Sequence, residues 1–462
     1  MESVTLIVAL LGSLAALATS PIRSLAIYLG VLVWYPPFLT VKLGSIDFTV
    51  GRVIILSVLA NALFRAQLFR EFKWNILDIF VVVQFLGASF SLSQNESWRL
   101  VVEREGGTLF DCLLPYFAAR LVINRKADLY TLTKSLALAA IPLALLGCYQ
   151  SVTGYNPFAF LRSYHAWGET GPYAYARHGF ARANVTFPIH ASFGLFFAAL
   201  VPLSLSLWHH WKKYKWRLAI VSSLMMLGMI SSMSSAPLFA TISALAVLTC
   251  YPLRRHWMTI LVSIVLFLAL VDLYSNRHWY NVLTRFAYDS GNAYYRVELV
   301  NEAFGGGMTG HWLFGYGYVG AGPGADNTNF PFRHRDLVNI YVSRLATGGL
   351  CALIPWVAVN ILCYCRLYQA CRRTHCLSDT WLACCILAAF TGWNIAMMTV
   401  GALGQTRELL FVLIGICSGL PSVLIPLASV CHSVTGSREI HALEAARHFL
   451  RLPPMSHLSR KV

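Results

Sequence analysis

The chain has 462 residues, 57% hydrophobic and only 12% charged, with a mean hydropathy of +0.59. Soluble domains carry about a quarter charged residues, so this balance excludes an ordinary soluble enzyme and points to lipid as the solvent. The net charge of +16 is divided among short clusters between apolar runs, where lysine and arginine orient membrane helices; this argues against nucleic acid as a partner.

Apolar stretches approaching the roughly 20 residues that span a bilayer recur in chain order. They are Val4 to Ala18, Ile76 to Phe90, Leu136 to Cys148, Phe193 to Leu207, Met258 to Val271, Leu350 to Cys363 and Leu409 to Val430. Unpaired peptide groups cost several kcal/mol each in lipid, so helices are expected throughout. The first run has Glu2 before it and Arg23 after it, and so lacks the basic start of an obvious cleavable signal. The cluster His210 to Arg217 anchors the cytoplasmic side. Counting from it, Arg23, Arg65 to Lys73, Arg125-Lys126, Arg254-Arg255, Arg366, Arg372 and Arg373 fall on that side too. The parity requires two helices between Arg217 and Tyr251, turning at Ser231 to Pro237, and places the N-terminus outside.

The expected fold is therefore an all-α polytopic integral membrane protein, with about 12–13 transmembrane helices and two long extracytoplasmic loops. Residues 1–152 form the N-terminal helices, 153–187 the first loop and 188–273 the central helices. Residues 274–337 form the large loop, 338–431 the C-terminal helices and 432–462 a basic cytoplasmic tail. In that tail Ser437 to Leu452 reads as an amphipathic helix on the inner leaflet, with Ile440, Leu443 and Leu450 on one face. Neither loop contains a cysteine, so no disulfide framework is implied. Cys363, Cys365, Cys371 and Cys376, beside His375, lack the CxxC pair of a zinc site.

Both loops are rich in arginine, although outer loops tend to avoid it. The first carries Arg177-His178 and Arg182 shortly before an apolar helix, where a guanidinium suits a phosphate or a lipid headgroup. In the second, Asn292 to Phe304 reads as a short helix bearing Arg296. His311 to Gly320 follows, glycine-rich and suited to a loop that closes over a ligand. Last comes Arg333-His334-Arg335-Asp336, leading through Val338-Asn339 into the next helix.

In these patches the chain resembles the O-antigen ligase and O-antigen polymerase superfamily of bacterial envelope glycosyltransferases, and the resemblance covers most of its length. It rests on Arg182-Ala183 with Phe187 and Gly194, the Ser-rich turn ending in Pro237, and Tyr295-Arg296 before Leu313 to Gly317. Asp336 to Tyr341 leading to Gly348-Gly349-Leu350 completes the set. Two departures stand out. Ile189 and His190 replace a histidine and proline of the family stretch, and Val338 stands where many relatives carry a histidine before the asparagine.

The resemblance implies a C-type glycosyltransferase-like enzyme, a polymerase or ligase working at the outer face of the bacterial inner membrane. Its donor would be an undecaprenyl-diphosphate-linked glycan, and its acceptor another glycan or the lipid A core. Arg182 and Arg296 would clamp the diphosphate, with Arg335 as a further substrate ligand. Asp336 is the first candidate for the base and His334 the second, although Asp336 equally suits an ion pair with Arg333 or Arg335. No metal or cofactor is expected, since arginines take that role and the outer loops hold no carboxylate cluster suited to magnesium. Membrane lipids are the remaining partners. A flippase for lipid-linked sugars is the competing class; it would need polar or ionisable groups near the bilayer midplane, and few are evident mid-span.

Overall fold

The structure, a computed structural model, describes residues 1–43, 46–164, 176–275, 281, 290–318, 330–332, 337–374 and 376–425. The N-terminal helices are α1 (Glu2–Ala18), α2 (Pro21–Trp34) and α3 (Val50–Leu63), with a hairpin of β1 (Thr40–Leu43) and β2 (Ile46–Thr49) before α3. Next come α4 (Ala66–Glu71), α5 (Ile76–Asn95), α6 (Trp98–Thr108) and α7 (Leu114–Val122), the last two joined by a π-turn at Leu109–Leu113. The middle of the chain forms α8 (Lys126–Thr153), α9 (His190–Leu205), α10 (Lys215–Ser231), α11 (Ser235–Thr249) and α12 (Trp257–Tyr274). After α13 (Ser290–Glu302) the chain ends in α14 (Ile340–Arg373), α15 (Leu377–Met397) and α16 (Gln405–Leu424).

Seven helices among the described residues are long and apolar enough to cross a membrane, namely α5, α8, α9, α12, α14, α15 and α16 with their short extensions. The fold is that of an all-α polytopic membrane protein. Four further apolar helices, α1, α2, α3 and α11, have 14 to 17 residues, or about 21 to 25 Å at 1.5 Å per residue. The turn expected after Ser231 is present: α10 ends there, and Met233 takes the left-handed conformation before α11 begins.

Small residues set the packing, as expected where lipid supplies no hydrophobic drive between helices. A Cβ on Gly194 would lie 2.3 Å from Ser232 Oγ and 2.6 Å from Pro237 Cγ, so α9 packs directly onto the serine turn. Gly392 brings α15 just as close to the Ala240 carbonyl of α11. The inner helices α9, α15 and α16 are largely buried, whereas α12 buries none of its apolar window.

Hydrogen bonds define the two ends of the bundle. At one end Asn61 donates to the Ala16 and Thr19 carbonyls, Lys126 pairs with Asp379 at 3.3 Å, and Trp381 donates to the Leu205 carbonyl. The basic clusters at Arg23, Arg65 to Lys73, Arg125-Lys126, His210 to Arg217, Arg254-Arg255 and Arg372-Arg373 gather here. At the other end Ala183 N–H donates to the Ser231 carbonyl, Gln405 to the Tyr35 and Thr186 carbonyls, and Tyr318 N–H to Glu96. The described parts of both arginine-rich segments sit at this second end.

α14 is not a continuous rod. It breaks at Gly349 (φ +60°), and residues 312–317 lie across the gap. The amides of Tyr316 and Gly317 donate to the Ala346 and Thr347 carbonyls, while those of Leu350 and Cys351 donate to the Trp312 and Leu313 carbonyls. Ser91 and Asn95 of α5 reach the Phe314 carbonyl at 2.6 and 3.1 Å. The break lies about 15 Å along the helix from its start, a depth at which open backbone survives only when buried in protein. The stretch from His311 is therefore not a free lid. Its first part is a structural insert, fixed because a Cβ on Gly349 or Gly315 would fall 2.3 or 2.6 Å from a backbone oxygen.

The end that gathers the basic clusters is closed by a buried network. Asp78, fully buried at the start of α5, accepts from Arg120 Nε at 2.8 Å and from the Tyr116 hydroxyl, with Ser418 beside both. Removing one partner leaves an uncompensated buried charge, which costs about 3–5 kcal/mol. Asp78→Ala is expected to lower the melting temperature in detergent markedly, with Asp78→Leu/Arg120→Leu recovering much of the loss; an unchanged midpoint in Asp78→Ala would reject this role.

Candidate functional site

Residues 182–187 form a buried coil rather than a surface loop. Gln150, in the last turn of α8, accepts from the amides of Asn184 and Val185 at 3.1 and 2.9 Å and donates to Asn184 Oδ1. Asn156 donates to Asn184 Oδ1 and to the Val185 carbonyl, and Thr186 Oγ1 donates to the Val33 carbonyl at 2.7 Å. Val185 holds a left-handed φ of 50° within this frame. Arg182 precedes it on a backbone fixed by α2, α8 and the α10 turn. Just upstream, the hairpin of β3 (Ala176–Arg177) and β4 (Phe180–Ala181) lets Arg177 donate to the Met233 carbonyl at 3.2 Å.

Arg296 comes from α13, which buries Val297 and Leu299. A small second core of Ala303, Met308, Tyr316, Phe330 and Phe332 joins the chain after it to the first turns of α14. The charges of Arg182, Arg177 and Arg296 all act on the ring of His190, the first residue of α9. Two segments far apart in sequence thus place three guanidinia within electrostatic range of one imidazole at the mouth of the central helix. Such a concentration of cations suits an anion.

A second cationic region lies at the same end, inside the bundle. Arg104 and Glu105 of α6, Arg344 of α14 and Arg407 of α16 line a cavity of about 290 Å³. Arg104 sits 3.3 Å above the Tyr318 ring, and Glu105 accepts from Ser89 at 2.9 Å. On its border Asp111 is held by two 2.8 Å hydrogen bonds from Arg52, with Arg407 at 3.9 Å.

Of the residues singled out from sequence, Arg182 and Arg296 both lie within electrostatic range of His190. His334, Arg335 and Asp336 lie outside the described residues, as do Arg333, His375 and the tail helix at 437–452. Asn339 proves to be the N-cap of α14, accepting from the amides of Tyr341 and Val342. His190, one of the two departures, stands within the arginine cluster. Arg344 and Arg407, each close to the start of its helix and away from mid-span, were not singled out in the sequence.

The Gln150 frame yields a direct test. Gln150→Leu strands the amides of Asn184 and Val185, at about 1–3 kcal/mol for each buried donor. Hydrogen exchange across 182–187 should accelerate and the melting temperature should fall; wild-type protection would show that Gln150 does not hold Arg182 in place.

In comparisons with known proteins, no family model matches the chain, and no curated protein matches it significantly.

Proposed function

We propose that the chain is a membrane glycosyltransferase of the O-antigen ligase and polymerase kind, taking glycan from an undecaprenyl-diphosphate carrier at the outer face of the bacterial inner membrane. The observation that carries this reading is that Arg177, Arg182 and Arg296, from two distant segments, all lie within electrostatic range of His190. Sidedness is supported by the basic clusters at the opposite end, which the positive-inside rule assigns to the cytoplasm. With α6 and α7 taken as one rod and the short apolar helices as full crossings, the path makes about thirteen passes.

In the transfer, the acceptor oxygen bonds to the anomeric carbon while the bond from that carbon to the phosphate oxygen breaks. The electron pair leaves with the diphosphate, and the hydroxyl proton passes to a base. Arg182 and Arg296 neutralise the leaving diphosphate through paired donors, with Arg335 as a further ligand. Asp336 remains the first candidate for the base and His334 the second.

The flippase reading gains one observation, the cationic cavity between α6, α14 and α16. The two functions separate in detergent, where chain extension or ligation from a lipid-linked oligosaccharide needs no second compartment. Arg182→Ala and Arg296→Ala should each abolish transfer while insertion stays normal; wild-type rates in both would refute the clamp. Asp336→Asn should slow turnover while the donor still binds, and unchanged turnover would remove Asp336 from the chemistry.

A further inference from the structure

The cavity among α6, α14 and α16 has features that a purely structural ion cluster lacks. Its lining carries three guanidinia, Arg104, Arg344 and Arg407, against the single carboxylate of Glu105. Around the cavity lie Arg52 with Asp111, the buried Glu408, and Glu96, which accepts from the Tyr318 amide on the cavity wall. Asp111 is already saturated by Arg52. Arg344 makes no hydrogen bond or ion pair with any described residue; its guanidinium carbon lies 5.4 Å from the Trp356 ring, and the Glu105 carboxylate acts on it without direct contact. A cation held inside a helical bundle is costly to desolvate, and a bound anion offsets part of that cost.

Size and lining narrow the ligand. At about 290 Å³ the space lies at the lower edge of small-molecule sites, enough for a headgroup and too little for an oligosaccharide. Guanidinium forks match phosphate oxygens. The apolar side of the lining, with Leu92, Leu410 and Phe411, suits the chain attached to such a headgroup. The broken segment of α14 contributes Gly348 to the wall, and the insert across it contributes Gly317 and Tyr318. The insert thus shapes the cavity as well as completing the helix.

We infer that Arg344, Arg407 and Arg104 form a second anion site, separate from the loop cluster at His190, that takes a phosphate-bearing headgroup within the bundle. The assignment rests on the cavity alone and does not need the transfer reading. On that reading, it seats the acceptor's anionic headgroup while the loop arginines hold the donor.

The test uses the full chain in phosphatidylcholine nanodiscs, with native mass spectrometry counting bound farnesyl diphosphate, inorganic pyrophosphate and phosphatidylglycerol in separate arms. Arg344→Gln should remove one bound farnesyl diphosphate and weaken that affinity roughly 10-fold or more, whereas Arg344→Lys should retain part of it. Circular dichroism and the melting temperature confirm that each variant is folded. Arg344-dependent binding of pyrophosphate as well would identify the phosphate group itself as what is recognised; binding of farnesyl diphosphate or phosphatidylglycerol alone would identify a lipid headgroup. If Arg344→Gln binds all three probes as the wild type does, the inference falls. A single bound copy lost in Arg344→Gln but kept in Arg296→Ala would support this site and count against the loop clamp. The reverse pattern would support the clamp and overturn this site.

Discussion

Everything at the candidate end of this protein depends on hydrogen bonding of peptide groups that are not helical yet lie within the bundle. Lipid offers no partner for an open N–H or carbonyl, so irregular backbone survives there only where side chains or a second strand of chain satisfy it. Two segments meet this condition by different means. Residues 182–187 lean on side chains, chiefly Gln150 and Asn156. Residues 312–317 exchange main-chain bonds with the two halves of α14 on either side of Gly349. The first carries Arg182, and the second walls the cavity of Arg344. A flexible loop would hold neither guanidinium in one place.

The charge distribution follows the same division. At the end with the basic clusters, ionisable groups pair and close the bundle, as Asp78 does with Arg120 and Lys126 with Asp379. At the opposite end, the cavity lining carries three guanidinia and one carboxylate among the described residues, and the charges of Arg177, Arg182 and Arg296 act on His190. On the proposed reading, guanidinia held within the bundle at that end receive an anion from that side. A diphosphate-linked lipid fits that demand, because its charge lies at the headgroup plane.

Much of the fold was legible in the sequence because lipid imposes a crude rule. The apolar runs from Ile76, Leu136, Phe193 and Leu409 became helices, and the turn after Ser231 appeared where the charge parity required it. A common site for Arg182 and Arg296 was expected only through family resemblance, since no local pattern encodes which loops meet. The role of His311 to Gly317 was misread for a physical reason. Glycines that permit a mobile loop also permit the close backbone contact seen at Gly315 and Gly349, and only the partner strand tells the two apart. Arg344 and Arg407 carry no distinguishing signal in sequence, since a single cation near a helix start also reads as an ordinary interfacial anchor.

The central claim is that the end bearing Arg182 and Arg296 faces outward. Labelling in intact cells with a membrane-impermeant thiol reagent, scored against the native cysteine background, addresses it most directly. His178 and Tyr294 are exposed at that end and Lys213 at the other. The account requires that His178→Cys and Tyr294→Cys react from outside and that Lys213→Cys react only after permeabilisation. The opposite pattern would contradict it, leaving the arginine cluster on the cytoplasmic side, away from any exported lipid-linked glycan.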